Sequence, residues 1–229
     1  FVGSLLWIYL NFGLSITVFG KFLGLDWNLI ERIFYLFPFI IISVFSSYKL
    51  FTEVFSKNAF SFFSIFIFCF NTYILMVVGG GQVAGIAMAY ALSPLVIYSY
   101  IKFFNNLGKE KIKIIGFSIA TSLLLSLQII FDLRIAYVTL FGVALLWLLK
   151  VLENRDKKYF IKSILFILVI PALLTFLLNA FWIIPTIASQ KNPIEQFGLA
   201  YSSIDAVKFF SFAKLENAFG LLHPNWPEN

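Results

Sequence analysis

One cysteine, Cys69, and one histidine, His223, are all that this chain holds of the thiol and imidazole side chains. No internal disulfide can form, zinc-hydrolase and Cys-protease centres have no residues to build on, and a metal would have to be held by carboxylates. Charge is scarce too: 12% of the 229 residues are Asp, Glu, Lys or Arg, about half the share of a soluble domain. With 61% hydrophobic residues and a mean hydropathy of +0.93, too few polar side chains remain to cover a globule of this size. Cytosolic enzyme folds, nucleic-acid binders and disordered tails are disfavoured on that ground. The net charge of +6 reads as lysine gathered in cytoplasmic loops, not as a nucleic-acid footprint.

Apolar sequence is abundant, in runs near the roughly 20 residues that cross a hydrocarbon core of about 30 Å. Seven runs stand between charged or Gly/Pro breaks, at about 2–20, 33–50, 59–78, 83–103, 114–131, 135–149 and 160–184. The expected fold is all-α: a polytopic transmembrane helix bundle of about seven spans over residues 1–185, then an extracytoplasmic loop, incomplete, over 186–229. Phe1 in place of Met, and an end in mid-loop at Pro227, Glu228 and Asn229, read as a piece of a longer polypeptide. The sixth run is short, and Pro38, Pro94 and Pro171 are expected to kink their helices.

Basic residues alternate from one connection to the next. The second, fourth and sixth connections hold eleven, among them Lys57, Lys109 and Lys158, whereas the first, third and fifth hold only Lys21, Arg32 and Arg134. Lys and Arg accumulate on the cytoplasmic side. The expectation is a multi-pass protein of the cell membrane, with the amino end of the segment cytoplasmic and residues 186–229 outside.

Polar groups inside the runs share a depth. Asn71, Gln128 and Asn179 fall within about 10 Å of the outer boundary at 1.5 Å per residue, and Gln82, Asp132 and Arg134 belong to the adjoining outer turns. A polar cavity opening outward is one reading. Interhelical bonding at about 0.6 kcal/mol apiece is the other. In the Asp132-Leu133-Arg134 connection, a guanidinium oriented by a carboxylate suits a phosphate clamp; the pair also suits a plain solvated turn. Gly79, Gly80, Gly81 and Gln82 let backbone N–H groups approach a ligand, without the Lys and Ser/Thr of a P-loop. Gly81, Gly85 and Ala89 form a close-packing stripe. Asp26 and Glu31 are the only outer acids before Asp132, fit for a general base or for solvated interface charge. In the tail, His223 and Trp226 combine an imidazole and an aromatic face that could stack on a sugar ring or seat the loop.

The order Phe70-Asn71-Thr72-Tyr73, Gly80-Gly81-Gln82, Ala89-Tyr90-Ala91-Leu92-Ser93-Pro94-Leu95, Gln128 with Asp132-Leu133-Arg134, Asn179-Ala180-Phe181-Trp182-Ile183-Ile184-Pro185 and His223-Pro224-Asn225-Trp226-Pro227 resembles GT-C-type polytopic membrane glycosyltransferases, including arabinofuranosyltransferase-like and archaeal members. The likeness covers roughly residues 33–229. It implies transfer of a sugar from a polyprenyl-phosphate carrier to a glycan or glycolipid acceptor on the outer face, with inversion at the anomeric carbon. Carried onto this chain, Arg134 and Asp132 would hold the donor phosphate, Asn71, Gln82, Gln128 and Asn179 would line the donor cavity, and His223 and Trp226 would shape the acceptor side. The catalytic acid of that superfamily lies in a long first outer loop. No such loop occurs within these residues and it is expected to precede Phe1, which leaves the base unassigned here, with Asp26 and Glu31 as fallback candidates; a divalent metal is compatible, although no ligand set stands out.

Two other classes compete. A transporter or flippase for a lipid-linked or small polar molecule would use the Gly turn and the proline-interrupted fourth run as a gate, but such proteins place polar groups near the midplane and carry inverted repeats. The outward displacement of the polar set favours the enzyme. A non-catalytic anchor subunit of a larger membrane complex is the third class.

Overall fold

Within lipid every backbone N–H and C=O must find its partner inside the chain, so apolar runs of this length fold as helices. The computed structural model describes residues 15–79, 83–106, 111–154, 157–164 and 169–189. Among them every regular element is helical and no strand occurs. In chain order these are α1 (Ser15–Phe22), wound as a π-helix, α2 (Trp27–Phe55), α3 (Ala59–Phe70), α4 (Thr72–Gly79), α5 (Val83–Asn106), α6 (Lys111–Phe131), α7 (Leu133–Asn154), α8 (Lys157–Ser163) and α9 (Ile170–Ser189).

Five stretches are long and apolar enough to cross a membrane: α2, α3 with α4, α5, α6 from Ile114, and α7. Their outward surfaces carry large apolar side chains in numbers that water does not favour; Phe62, Phe63, Phe66, Val138 and Phe141 are each more than half exposed. This is the architecture of a multi-pass membrane bundle.

Helix α5 is the centre, packed against α2, α6 and α7. Its small residues allow close approach: Ala89, Ala91 and Val96 are fully buried. One apolar cluster, containing Ile30, Val77, Val83 and Phe131, gathers the start of α2, the end of α4, the start of α5 and the end of α6 at one end of the bundle. At the other end Lys102 Nζ meets Glu53 Oε1 at 2.8 Å, joining the ends of α5 and α2.

The runs and the helices differ in instructive places. α2 begins at Trp27, not near residue 33, because the Asp26 carboxylate accepts the Asn28 N–H at 3.2 Å and caps the first turn. Glu31 and Arg32 therefore lie inside a helix that winds as π over Arg32–Leu36 and regularly from Phe37, with Pro38 in the first regular turn. The sixth run is not short: α7 spans 22 residues, started by Asp132 and extended past the apolar stretch by a Lys150–Glu153 pair at 2.9 Å. The third run is broken at Asn71. α9 runs through Pro185 to Ser189, and Pro171 stands in its first turn instead of kinking it. Residues 1–14 of the first run, Gly80, Gly81 and Gln82, and the tail beyond Ser189 with His223 and Trp226 lie outside the described residues.

Candidate functional site at the Asp132 turn

Asp132 alone separates α6 from α7. Its N–H donates to Gln128 O at 2.9 Å, closing α6, and its C=O accepts from Ala136 N at 3.2 Å, opening α7. Oδ1 accepts the N–H groups of Arg134 (2.8 Å) and Ile135 (3.2 Å), an N-cap worth about 1 kcal/mol. The same carboxylate takes Arg134 Nη2 on Oδ2 at 2.7 Å, while Arg134 Nε lies 3.2 and 3.3 Å from its two oxygens. The acid side chain is 10% exposed and the guanidinium 66%. An exposed pair adds little stability, but this one is oriented: among the described residues the carboxylate engages two of the five guanidinium N–H donors, and three remain for an outside acceptor.

Tyr73 on α4 lies within electrostatic reach of both charges and is exposed. Gly85 on α5 faces the last turn of α6: a Cβ there would stand 3.7 Å from Phe131 O, in ordinary contact. Asp26 and Glu31 belong to the same end of the bundle, since Ile30 beside Glu31 packs in one cluster with Val77, Val83 and Phe131. Sequence spacing did not single out Tyr73, which stands two residues after Asn71 in the Phe70-Asn71-Thr72-Tyr73 stretch.

Asn71 serves the backbone. At the break its Nδ2 donates to Phe68 O (2.9 Å) and Ile67 O (3.3 Å), and its Oδ1 accepts the Ile74 N–H (3.1 Å), so one amide closes α3 and opens α4. Tyr90 Oη accepts from Asn71 Nδ2 at 2.8 Å and donates to Phe68 O at 3.0 Å, its ring stacked on Phe68 with centroids 4.4 Å apart. An amide carries donor and acceptor on one short arm and so caps both half-helices at once.

Gln128 is fully buried against α5. Its Nε2 reaches Ala89 O (3.0 Å), Ser93 Oγ (2.8 Å) and Thr139 Oγ1 (2.8 Å), tying α5, α6 and α7 together. These bonds fall beside Pro94, which lacks the N–H that would close its turn, and Ser46 Oγ adds a bond to Ala91 O at 2.5 Å from α2. Asn179 stands apart on α9, fully buried, donating to Thr175 O (2.9 Å) and accepting from Trp182 Nε1 (2.9 Å). Asn71 and Gln128 thus converge on the same turn of α5 from different helices, and Asn179 bonds within its own helix.

Thr139 and Tyr90 complete these arrangements; Thr139 had no motif to announce it, and Tyr90 stood in the Ala89-Tyr90-Ala91 stretch without a role of its own. A groove of about 490 Å³ on α2 is lined by Ile40, Ile41, Val44, Phe45 and Tyr48, away from the polar turn. Among the described residues no three His, Cys, Asp or Glu side chains gather as a metal site. In comparisons with protein families, curated proteins and solved structures, nothing matches the chain.

Proposed function

We propose that this chain is the membrane part of a transferase that takes a sugar from a polyprenyl-phosphate donor at the outer face of the cell membrane, with Arg134 holding the donor phosphate. The observation carrying this reading is the Asp132–Arg134 turn: a guanidinium anchored on one edge by a buried, helix-capping carboxylate and exposed on the rest, at the end of an apolar bundle. A lipid-linked donor reaches such a position sideways through the bilayer while its headgroup stays at the boundary. Paired N–H donors on the phosphate would then neutralise the charge that grows on it as the sugar leaves. The order of motifs that resembles GT-C-type glycosyltransferases supports the same assignment. On this reading the amino end is cytoplasmic, residues 186–229 are extracytoplasmic, and His223, Trp226 and Gln82 complete the acceptor and donor sides. Asp26 or Glu31 supplies the base that takes the acceptor hydroxyl proton as its oxygen attacks the anomeric carbon.

The test is Arg134→Ala beside Arg134→Lys, in membranes supplied with a panel of polyprenyl-phosphate sugars. Alanine is expected to lower turnover on the order of a hundredfold, and lysine, a point charge without the fork, to restore only part. Transfer that continues unchanged in the alanine variant contradicts the clamp. One observation favours a second reading: the discontinuous α3–α4 span capped by Asn71 is a device of carriers. Movement of a fluorescent lipid-linked sugar between leaflets of proteoliposomes, without transfer, would select that alternative.

A further inference from the structure

The groove of about 490 Å³ lined by Ile40, Ile41, Val44, Phe45 and Tyr48 has a volume within the range of about 300–1,000 Å³ typical of ligand sites. All five residues stand on successive turns of α2, so the groove follows the helix axis for about 12 Å at 1.5 Å per residue. A cation closes one end. Lys49 Nζ rests over the Phe45 ring, 5.5 Å from its centroid, at the range of a cation–π contact. Glu53, four residues further along the same helix, stands where an ion-pair partner for Lys49 belongs, but its carboxylate is taken by Lys102 of α5 at 2.8 Å. Among the described residues no other carboxylate lies within ion-pair distance of Lys49. From this ammonium the groove runs away from the Lys102–Glu53 pair and toward the middle of the α2 span. A charge without a counter-charge beside hydrocarbon is costly, and an anion brought by a ligand removes that cost.

We propose that this groove binds an anionic phospholipid of the leaflet at the Lys102–Glu53 end, its phosphate on Lys49 and one acyl chain along Ile40, Ile41, Val44 and Phe45. A phospholipid carries its charge at the membrane boundary and its hydrocarbon deeper, which is the order found along α2. A partner helix would have to bring its own carboxylate into the bilayer to meet Lys49, a cost that a headgroup phosphate does not incur. Residues 1–14 of this chain contain no Asp or Glu, so they offer Lys49 no counter-charge. The site lies on a different helix from Arg134 and does not depend on the proposed transfer reaction.

The full chain, reconstituted in phosphatidylcholine vesicles, is irradiated with a phosphatidylglycerol that carries a photoactivatable group midway along one acyl chain, and adducts are mapped by peptide mass spectrometry. Adducts are expected to concentrate on residues 40–48, to fall about fivefold when Lys49→Gln removes the charge, and to persist in Lys49→Arg. Val44→Trp, which fills the groove and leaves the cation, should lower labelling by a similar factor. A phosphatidylcholine analogue should show no concentration there. Should Lys49→Gln misfold, added salt on the unaltered chain reads the same attraction and is expected to lower labelling by screening it. Labelling spread evenly over the outward faces of the helices, equal for the two lipids, or unchanged in either variant overturns the site. A cross-link from benzoylphenylalanine in place of Ile41 to residues 1–14 or to a second copy, instead of to lipid, overturns it too.

Discussion

Two buried polar regions of this bundle behave differently. Around α5 the polar groups are bonded across helices: Asn71 with Tyr90, Gln128 with Ser93 and Thr139, Ser46 with Ala91 O; Gln128 Oε1 and Ser43 Oγ of α2 are left without a partner among the described residues. Between α6 and α9 the pattern is reversed. Pro171, Thr175 and Asn179 are buried at four-residue spacing along α9, which packs on α6. Yet Ser118, Thr121 and Ser126 of α6 and Thr175 of α9 have hydroxyls without a partner among the described residues. The bond that crosses between these two helices, Ser122 Oγ to Pro171 O, is 3.5 Å long. The first region joins helices by hydrogen bonds as well as by fit. The second joins them by close approach of small side chains.

Breaking the bonded region should cost most at the helix interruption. Asn71→Leu strips the caps from two half-helices in apolar surroundings, and a loss of about 2–4 kcal/mol is expected from reversible unfolding in mixed micelles. Next comes Gln128→Leu, at about 1–2 kcal/mol, because Ser93, Thr139 and Ala89 O keep bonds among themselves at 3.1 and 3.2 Å. A double-mutant cycle with Thr139→Val should return a coupling of about 0.5–1.5 kcal/mol. Smallest is the seam, where Thr175→Val removes a hydroxyl without a partner among the described residues while keeping its shape; its effect should stay within about 0.5 kcal/mol. If Thr175→Val proves as costly as Gln128→Leu, the contrast between the two regions is gone.

The helical class and the four runs from 59 to 149 are legible in hydropathy, since a bilayer forces apolar length into helix. What that reading misses are effects of single side chains. Averaging over a window counts Asn71 as one polar residue in an apolar run and cannot see that its amide ends one helix and begins another. Asp26 and Asp132 look like loop charges, although each is a cap that moves a helix start, from about 33 to Trp27 and from about 135 to Leu133. Gln128 is conspicuous in sequence, but its partners Ser93 and Thr139 lie 35 and 11 residues away, brought together only by packing of α5, α6 and α7. In the Asp132 turn the pairing of acid and guanidinium is readable from their spacing of two, whereas the nearness of Tyr73 on α4 depends on the fold.

The account stands on α7 crossing the bilayer, with Arg134 at one surface and the lysine-rich hairpin at the other; its 22 residues span about 33 Å at 1.5 Å each, against a core of about 30 Å. With Cys69 replaced by Ser, a single cysteine at Arg134 or at Asn154 is offered a membrane-impermeant thiol reagent in sealed vesicles of known orientation. Labelling of the two positions from opposite sides is the predicted result, and labelling of both from the same side would contradict it.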